Sequence, residues 1–358
     1  MVHNDIKDER SRVSALKELT FFDRFLSLWI ILAMVIGVVL GKVVPNLGNY
    51  LGKVQIDGTS VPIAIGLLLM MFPVLAKVNY SQIGKAKAEK KLISASLILN
   101  WLVGPLLMYS LAWIFLYNEP QFRTGLILIG IARCIAMVLI WNELAGGNTV
   151  LAVVLVALNS IFQIVSYALL GWLFIKVLPS AMGLKSQSID ISFFAVFENV
   201  LIYLGIPLAL GVVTSMFFRQ KKGNEWYEDT FVPKISPFAL YGLLFTIVVL
   251  FALQGKSIIS NPLEVVKIAL PLVIYFVVMF SISFFIGKFI KLGYEKTATL
   301  AFTAAGNNFE LAIAVSISTF GIASKVALAG VVGPLIEVPV LVLLVYFSIF
   351  LRERLFSS

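Results

Sequence analysis

Apolar runs recur along nearly the whole of this chain, and many reach the ~20 residues that cross a bilayer as a helix. Sixty per cent of the residues are hydrophobic and only 13% are charged, too little polar surface for a water-soluble domain of this length. The sequence therefore predicts an all-α integral membrane protein. Ten transmembrane helices are expected, near 25–44, 61–77, 92–117, 122–144, 148–178, 194–218, 233–253, 264–287, 295–320 and 324–350. The connections are short, as in a compact bundle; two longer ones, near Pro179–Phe193 and Arg219–Phe231, need no structure of their own. Residues 1–24 read as a polar, partly disordered tail without the apolar core of a cleavable signal, so the first span is expected to be retained.

Lysine and arginine set the orientation. If the N-terminus is cytoplasmic, 19 of the 28 basic residues fall on that side and 8 on the other, with Arg133 left inside the membrane. That asymmetry places both termini in the cytoplasm, which agrees with an even number of spans. Because the basic residues sit in short loops, with no continuous basic face, the net charge of +9 does not point to nucleic acid.

Two apolar stretches are interrupted by polar groups. The first reads Leu128-Ile129-Gly130-Ile131-Ala132-Arg133-Cys134-Ile135-Ala136-Met137-Val138, with the only cysteine of the chain; the second carries Gly306-Asn307-Asn308-Phe309-Glu310. Residues 122–174 and 295–347 align without gaps at an offset of 173, and the polar interruptions coincide. Five spans per half is an odd number, so the halves would be inverted repeats: 25–178 and 194–350. Transporters use such repeats, with broken helices meeting at the midplane around the substrate.

Charged groups at bilayer depth cost at least ~2.5 kcal/mol each on insertion scales, so they face a pathway or a partner. Gly306 suits a break because glycine tolerates unusual backbone angles. Asn308 suits the N-cap of a helix beginning at Phe309, and Glu310 falls in its first turn, where the dipole favours negative charge. The bland alternative is that the asparagines and the glutamate join helices by hydrogen bonds. Cys134 could be a small core hydrophobe, but Arg133 beside it, or a half-helix N-terminus, would favour its thiolate form. Arg133 is always charged and needs a partner; Glu310 is the first candidate and a backbone carbonyl at the break the second. Glu337 is a further buried carboxyl that either relays protons or bonds to the broken helix ends. Asn142 and Glu143 read as caps. Pro62, Pro73, Pro233 and Pro237 read as scaffold.

Catalytic constellations are missing from the sequence. His3, the sole histidine, lies in the tail, which leaves zinc-dependent and His-assisted nucleophilic catalysis without a base. There is no phosphate-binding P-loop. The chain reads as no enzyme, with no cofactor and no structural metal, and energy would come from an ion gradient or the substrate's own gradient unless a separate ATPase subunit assists.

At Ala132-Arg133-Cys134-Ile135-Ala136-Met137-Val138 through Trp141-Asn142-Glu143-Leu144, at Gly306-Asn307-Asn308-Phe309-Glu310-Leu311-Ala312-Ile313-Ala314, and at Gly333-Pro334-Leu335-Ile336-Glu337-Val338-Pro339-Val340, the chain resembles the third arsenical-resistance permease family. This is a group of arsenite exporters within the bile acid/arsenite/riboflavin transporter superfamily. The likeness covers the whole chain. It implies a core domain with crossed discontinuous helices, a smaller panel domain, and arsenite efflux across the cell membrane in exchange for protons, with no ATPase subunit required. It leaves open whether antimonite is also carried. Cys134 matches the family's essential cysteine and Glu310 its essential glutamate. With Asn307 and Asn308 beside Cys134 at the substrate, Glu310 as the proton carrier, and Arg133, Glu337 and Gly306 in support, the site is complete. The alternatives are a sodium-coupled organic-anion carrier of the same fold, with Asn307 and Asn308 around sodium, and a passive metalloid channel.

Overall fold

The computed structural model describes residues 26–44, 47, 50, 53–56, 59–80, 89–184 and 191–356. The N-terminal tail, most of the 77–91 connection and part of the 179–193 connection lie outside them. Among the described residues the main helices are, in order, α1 Leu26–Val43, α2 Val61–Ala76, α3 Lys90–Phe115, α4 Pro120–Gly130, α5 Met137–Leu144 and α6 Thr149–Ala181. After these come α7 Phe193–Lys222, α8 Val232–Ser260, α9 Pro262–Phe289, α10 Tyr294–Ala305, α11 Phe309–Phe320 and α12 Lys325–Leu355. Among the described residues the only sheet is a two-stranded antiparallel ribbon, Gln55–Ile56 with Thr59–Ser60. Among the described residues six helices are long and apolar enough to cross a membrane: α3, α6, α7, α8 with the turns leading into it, α9 and α12.

The long helices are not uniform. π-helical turns occupy Leu99–Val103, Leu173–Val177, Leu201–Gly205 and Tyr227–Phe231. Each ends two residues before a proline: Pro105, Pro179, Pro207 and Pro233. A proline ring collides with the carbonyl four residues earlier and offers no N–H to it; the widened turn moves that carbonyl aside while the helix continues. The last of these turns lies in a connection expected to need no structure. Helix runs through most of 219–231 instead, and Arg219 pairs with Glu228 at 2.7 Å and lies over the Tyr227 ring. These contacts give the connection the local order that its composition conceals.

Helix packing is densest within two groups, which also touch each other through α8 against α12 and α7 against α11. α8 lies along α1 and α2, with α7 against α2; α9 packs on α10, α12 and α3, with α12 also against α4 and α11. Within the first group the backbones approach closely. A Cβ on Gly242 of α8 would lie 2.4 Å from the Met70 nitrogen and 2.8 Å from the Leu69 carbonyl carbon of α2. Close backbone approach through small residues is how helices pack in lipid, where no hydrophobic difference drives them together.

The sequence expected two helices to be broken, and the structure breaks them: α4 stops at Gly130 and α5 begins at Met137, α10 stops at Ala305 and α11 begins at Phe309. Gly242→Leu should therefore destabilise the protein by ~1–3 kcal/mol, because rigid backbone must move to admit the side chain. A detergent-solubilised variant that melts with the parent would show that α2 and α8 are free to separate.

Candidate functional site

The two breaks cross as a short antiparallel bridge between Arg133 and Asn307. The Cys134 N–H is donated to the Gly306 carbonyl at 3.4 Å, and the Asn308 N–H to the Ala132 carbonyl at 3.1 Å. These reciprocal bonds span 172 and 176 residues and centre on the bridge pair Arg133–Asn307, 174 apart, not the 173 of the ungapped alignment. Arg133 thus corresponds to Asn307, and Cys134 to Asn308. The first break carries a longer linker before its helix resumes, 131–136 against 306–308.

Gly306 is in ordinary extended backbone, at φ −71° and ψ 144°. Its requirement is space, not an unusual angle: a Cβ there would lie 3.0 Å from the Cβ of Cys134. Asn307 is a staple. Its side-chain amide nitrogen donates to the carbonyls of Ile129, at 2.8 Å, and Ala132, at 3.1 Å. Those are carbonyls that the end of α4 leaves without helical partners. Its own N–H is donated to Oε1 of Glu337 at 3.2 Å. Asn308 caps α11, its side-chain oxygen accepting from the Leu311 N–H at 3.0 Å.

Arg133 is fully buried. Its guanidinium does not reach Glu310. It donates to the Gly130 carbonyl, to the Ala304 carbonyl at 3.4 Å and to the Tyr275 hydroxyl at 3.1 Å. Backbone carbonyls at the two breaks, with one phenol, thus supply the partner that the sequence left between two candidates. The negative ends of α4 and α10 make this favourable, since their last carbonyls carry partial negative charge. The guanidinium is accordingly directed at these helix ends, and the groups turned towards the Cys134 sulfur are the backbone N–H groups of Met137 and Val138 at the start of α5.

Met70, Cys134, Ile135, Ala136, Met137, Asn308 and Glu310 line a narrow cavity beside the crossing, too tight in this structure to hold a water molecule. Cys134, Asn308 and Glu310 are almost wholly shielded from solvent. Two polar atoms among these residues, Nδ2 of Asn308 and Oε1 of Glu310, have no hydrogen-bond partner. A soft sulfur, an unpartnered amide donor and an unpartnered carboxyl oxygen therefore converge on one spot, which must open before a small polar molecule can enter. Asn307, Arg133, Gly306 and Glu337 do not line the cavity; they hold the crossing. Asn142 accepts from the Thr299 hydroxyl at 2.8 Å, joining α5 to α10. Among the described residues no group of three or more His, Cys, Asp or Glu could hold a metal ion.

Three contributors escaped the sequence reading. Met70 comes from α2, and nothing in Leu68-Leu69-Met70-Met71 marks it. Tyr275 is hidden among the aromatics of α9. Gln163 accepts the Arg133 N–H from α6, and it had a signal: an amide alone in the apolar run Ile161-Phe162-Gln163-Ile164-Val165.

Residues 64–261 match the Sodium Bile acid symporter family. The chain belongs to that family. It is accordingly a multi-pass membrane transporter and not an enzyme. It is 53% identical to the Arsenical-resistance protein Acr3 of Corynebacterium glutamicum over 95% of this chain and 92% of that protein. An uncharacterized transporter of Synechocystis is 38% identical over 91% of this chain and 88% of its own length. The Arsenical-resistance protein Acr3 of Alkaliphilus metalliredigens is 32% identical, covering 93% of both chains. In this member of the family, Asn307→Ala should cost about 1 kcal/mol, because the buried Ile129 and Ala132 carbonyls each lose one of two donors and keep the Ala132 and Asn308 N–H groups. Thermal unfolding in detergent checks it; no change in melting would mean that those backbone donors suffice.

Proposed function

We propose that this transporter exports arsenite across the cell membrane in exchange for protons, binding it at Cys134, Asn308 and Glu310. The observation that carries the reading is the convergence of one thiol and one carboxyl on a single small cavity where two broken helices cross. Two relatives matched along nearly their whole length are arsenical-resistance proteins, which supports the substrate. The chain would cross the membrane ten times as two inverted five-helix repeats, with both termini in the cytoplasm. The two groups within which helix packing is densest support a core and a panel.

The chemistry follows from the donor set. Trivalent arsenic as the hydroxide is neutral near pH 7 and prefers soft ligands. Binding exchanges one hydroxyl for sulfur: the S–As bond forms, an As–O bond breaks, and the thiol proton leaves with the hydroxyl as water. Hydrolysis on the far side reverses these changes. One sulfur holds the metalloid selectively yet lets it go, whereas several thiolates would hold it too tightly. The Asn308 amide can donate to an arsenic-bound oxygen. Glu310, in the first turn of α11, takes a proton from outside and loses it inside, so that the proton and the substrate take turns at one cavity.

Everted vesicles should accumulate arsenite when a proton gradient is imposed and not otherwise. Dependence on sodium would favour a sodium-coupled mechanism, and indifference to uncouplers a channel. Cys134→Ser swaps a soft ligand for a hard one of similar size and should lower arsenite export by at least about tenfold at normal membrane abundance. Glu310→Gln keeps size and hydrogen bonding but cannot ionise, so export against a gradient should stop. Export at the parent's level by either variant removes that residue from the mechanism. Single cysteines placed in 77–91 and 219–231 of a Cys134→Ala background should resist impermeant reagents in intact cells; labelling from outside would reverse the orientation.

A further inference from the structure

The crossing uses one hydrogen-bonding device twice. At the first break the Arg133 N–H is donated to Oε1 of Gln163 on α6, thirty residues later in the chain. At the second, the Asn307 N–H is donated to Oε1 of Glu337 on α12, again thirty residues later. Arg133 and Asn307 are bridge partners 174 residues apart, and Gln163 and Glu337 stand at the same offset. Both side chains are fully buried. Each leaves its other terminal atom, Nε2 of Gln163 and Oε2 of Glu337, without a hydrogen-bond partner. Equivalent places thus hold an amide in one half and a carboxyl in the other.

Since an amide does the work in the first half, the position does not require a charge. Nor is a charge compensated there. Arg133, the buried cation of the crossing, is engaged by Gly130, Ala304 and Tyr275. The ion pairs among the described residues, such as Lys296–Glu89 and Lys325–Glu264, do not include Glu337. The ionisable groups that face it are Glu310 and Cys134, and a negative charge on Glu337 would oppose charge on either of them. A buried carboxylate without a partner is strongly disfavoured.

We infer that Glu337 is a positioning residue held as the neutral acid, the counterpart of Gln163, which fixes the second break through the Asn307 N–H and leaves Glu310 as the one carboxyl that exchanges the transported proton. The last clause rests on the proposed transport reading; the positioning role does not.

The test compares full-length Glu337→Gln, Glu337→Ala and Gln163→Glu with the parent, by thermal melting and by vesicle export across the neutral pH range. Glu337→Gln should melt with the parent, export within about twofold of its rate and keep its pH profile. Gln163→Glu should also accumulate and melt normally, whereas Glu337→Ala should lose stability and export together. Loss of uphill export or a displaced pH profile in well-folded Glu337→Gln would show that Glu337 carries the proton, which overturns the inference. Failure of Glu337→Gln to accumulate would overturn it as well, since glutamine would then not serve in that place. If the parent itself moves no arsenite, the transport reading has failed; the melting comparison still decides the positioning role.

Discussion

Everything at this site depends on how two interrupted helices satisfy their backbone inside a membrane. A helix that stops in hydrocarbon leaves N–H and C=O groups that water cannot reach, and such breaks persist only where protein or a cavity answers them. Here each break answers the other. Cys134 and Asn308 exchange N–H bonds with Gly306 and Ala132, Asn307 staples the end of α4, and Arg133 gathers carbonyls from both breaks. Gln163 and Glu337 take the two N–H groups at the centre. The crossing is thus a small connected network, and a substitution in it acts on geometry before it acts on chemistry.

Function follows from the groups this network leaves over. Crossing places Cys134 and Asn308, equivalent positions in the two halves, on the same cavity, and the short second linker puts Glu310 one residue into its helix, facing the same space. The rest of the lining is apolar apart from that helix start, with Met70 contributed by the neighbouring packing group. Relative movement of α2 against the crossing would change one wall of the cavity and leave the other intact. A transporter needs such a division: a rigid element that recognises and a separate one that opens and closes.

Much of this was legible in the sequence, for physical reasons. Apolar run length gives the helices, and ionisable residues inside such runs mark the breaks at 131–136 and 306–308 because nothing else keeps them there. Asn308 as a cap could be read from its place before Phe309-Glu310. Side-chain direction could not be read. Arg133 sits next to Cys134 in the chain, yet its guanidinium points to Gly130, Ala304 and Tyr275. Asn307 and Asn308 look alike in sequence and do different work, one holding carbonyls and the other facing the cavity. The alignment at 173 lay one residue away from the 174-residue offset that links Arg133 with Asn307, and so hid the pairing of Gln163 with Glu337. The π-helical turns, by contrast, had a signal in the prolines that follow them.

The central claim is that one thiol of this chain binds trivalent arsenic directly. X-ray absorption on the purified, arsenite-loaded protein tests it without any assay of transport. The account predicts one sulfur neighbour with oxygen completing the arsenic coordination, and the sulfur signal should vanish in Cys134→Ser. An arsenic coordinated by oxygen alone in the parent protein would contradict it.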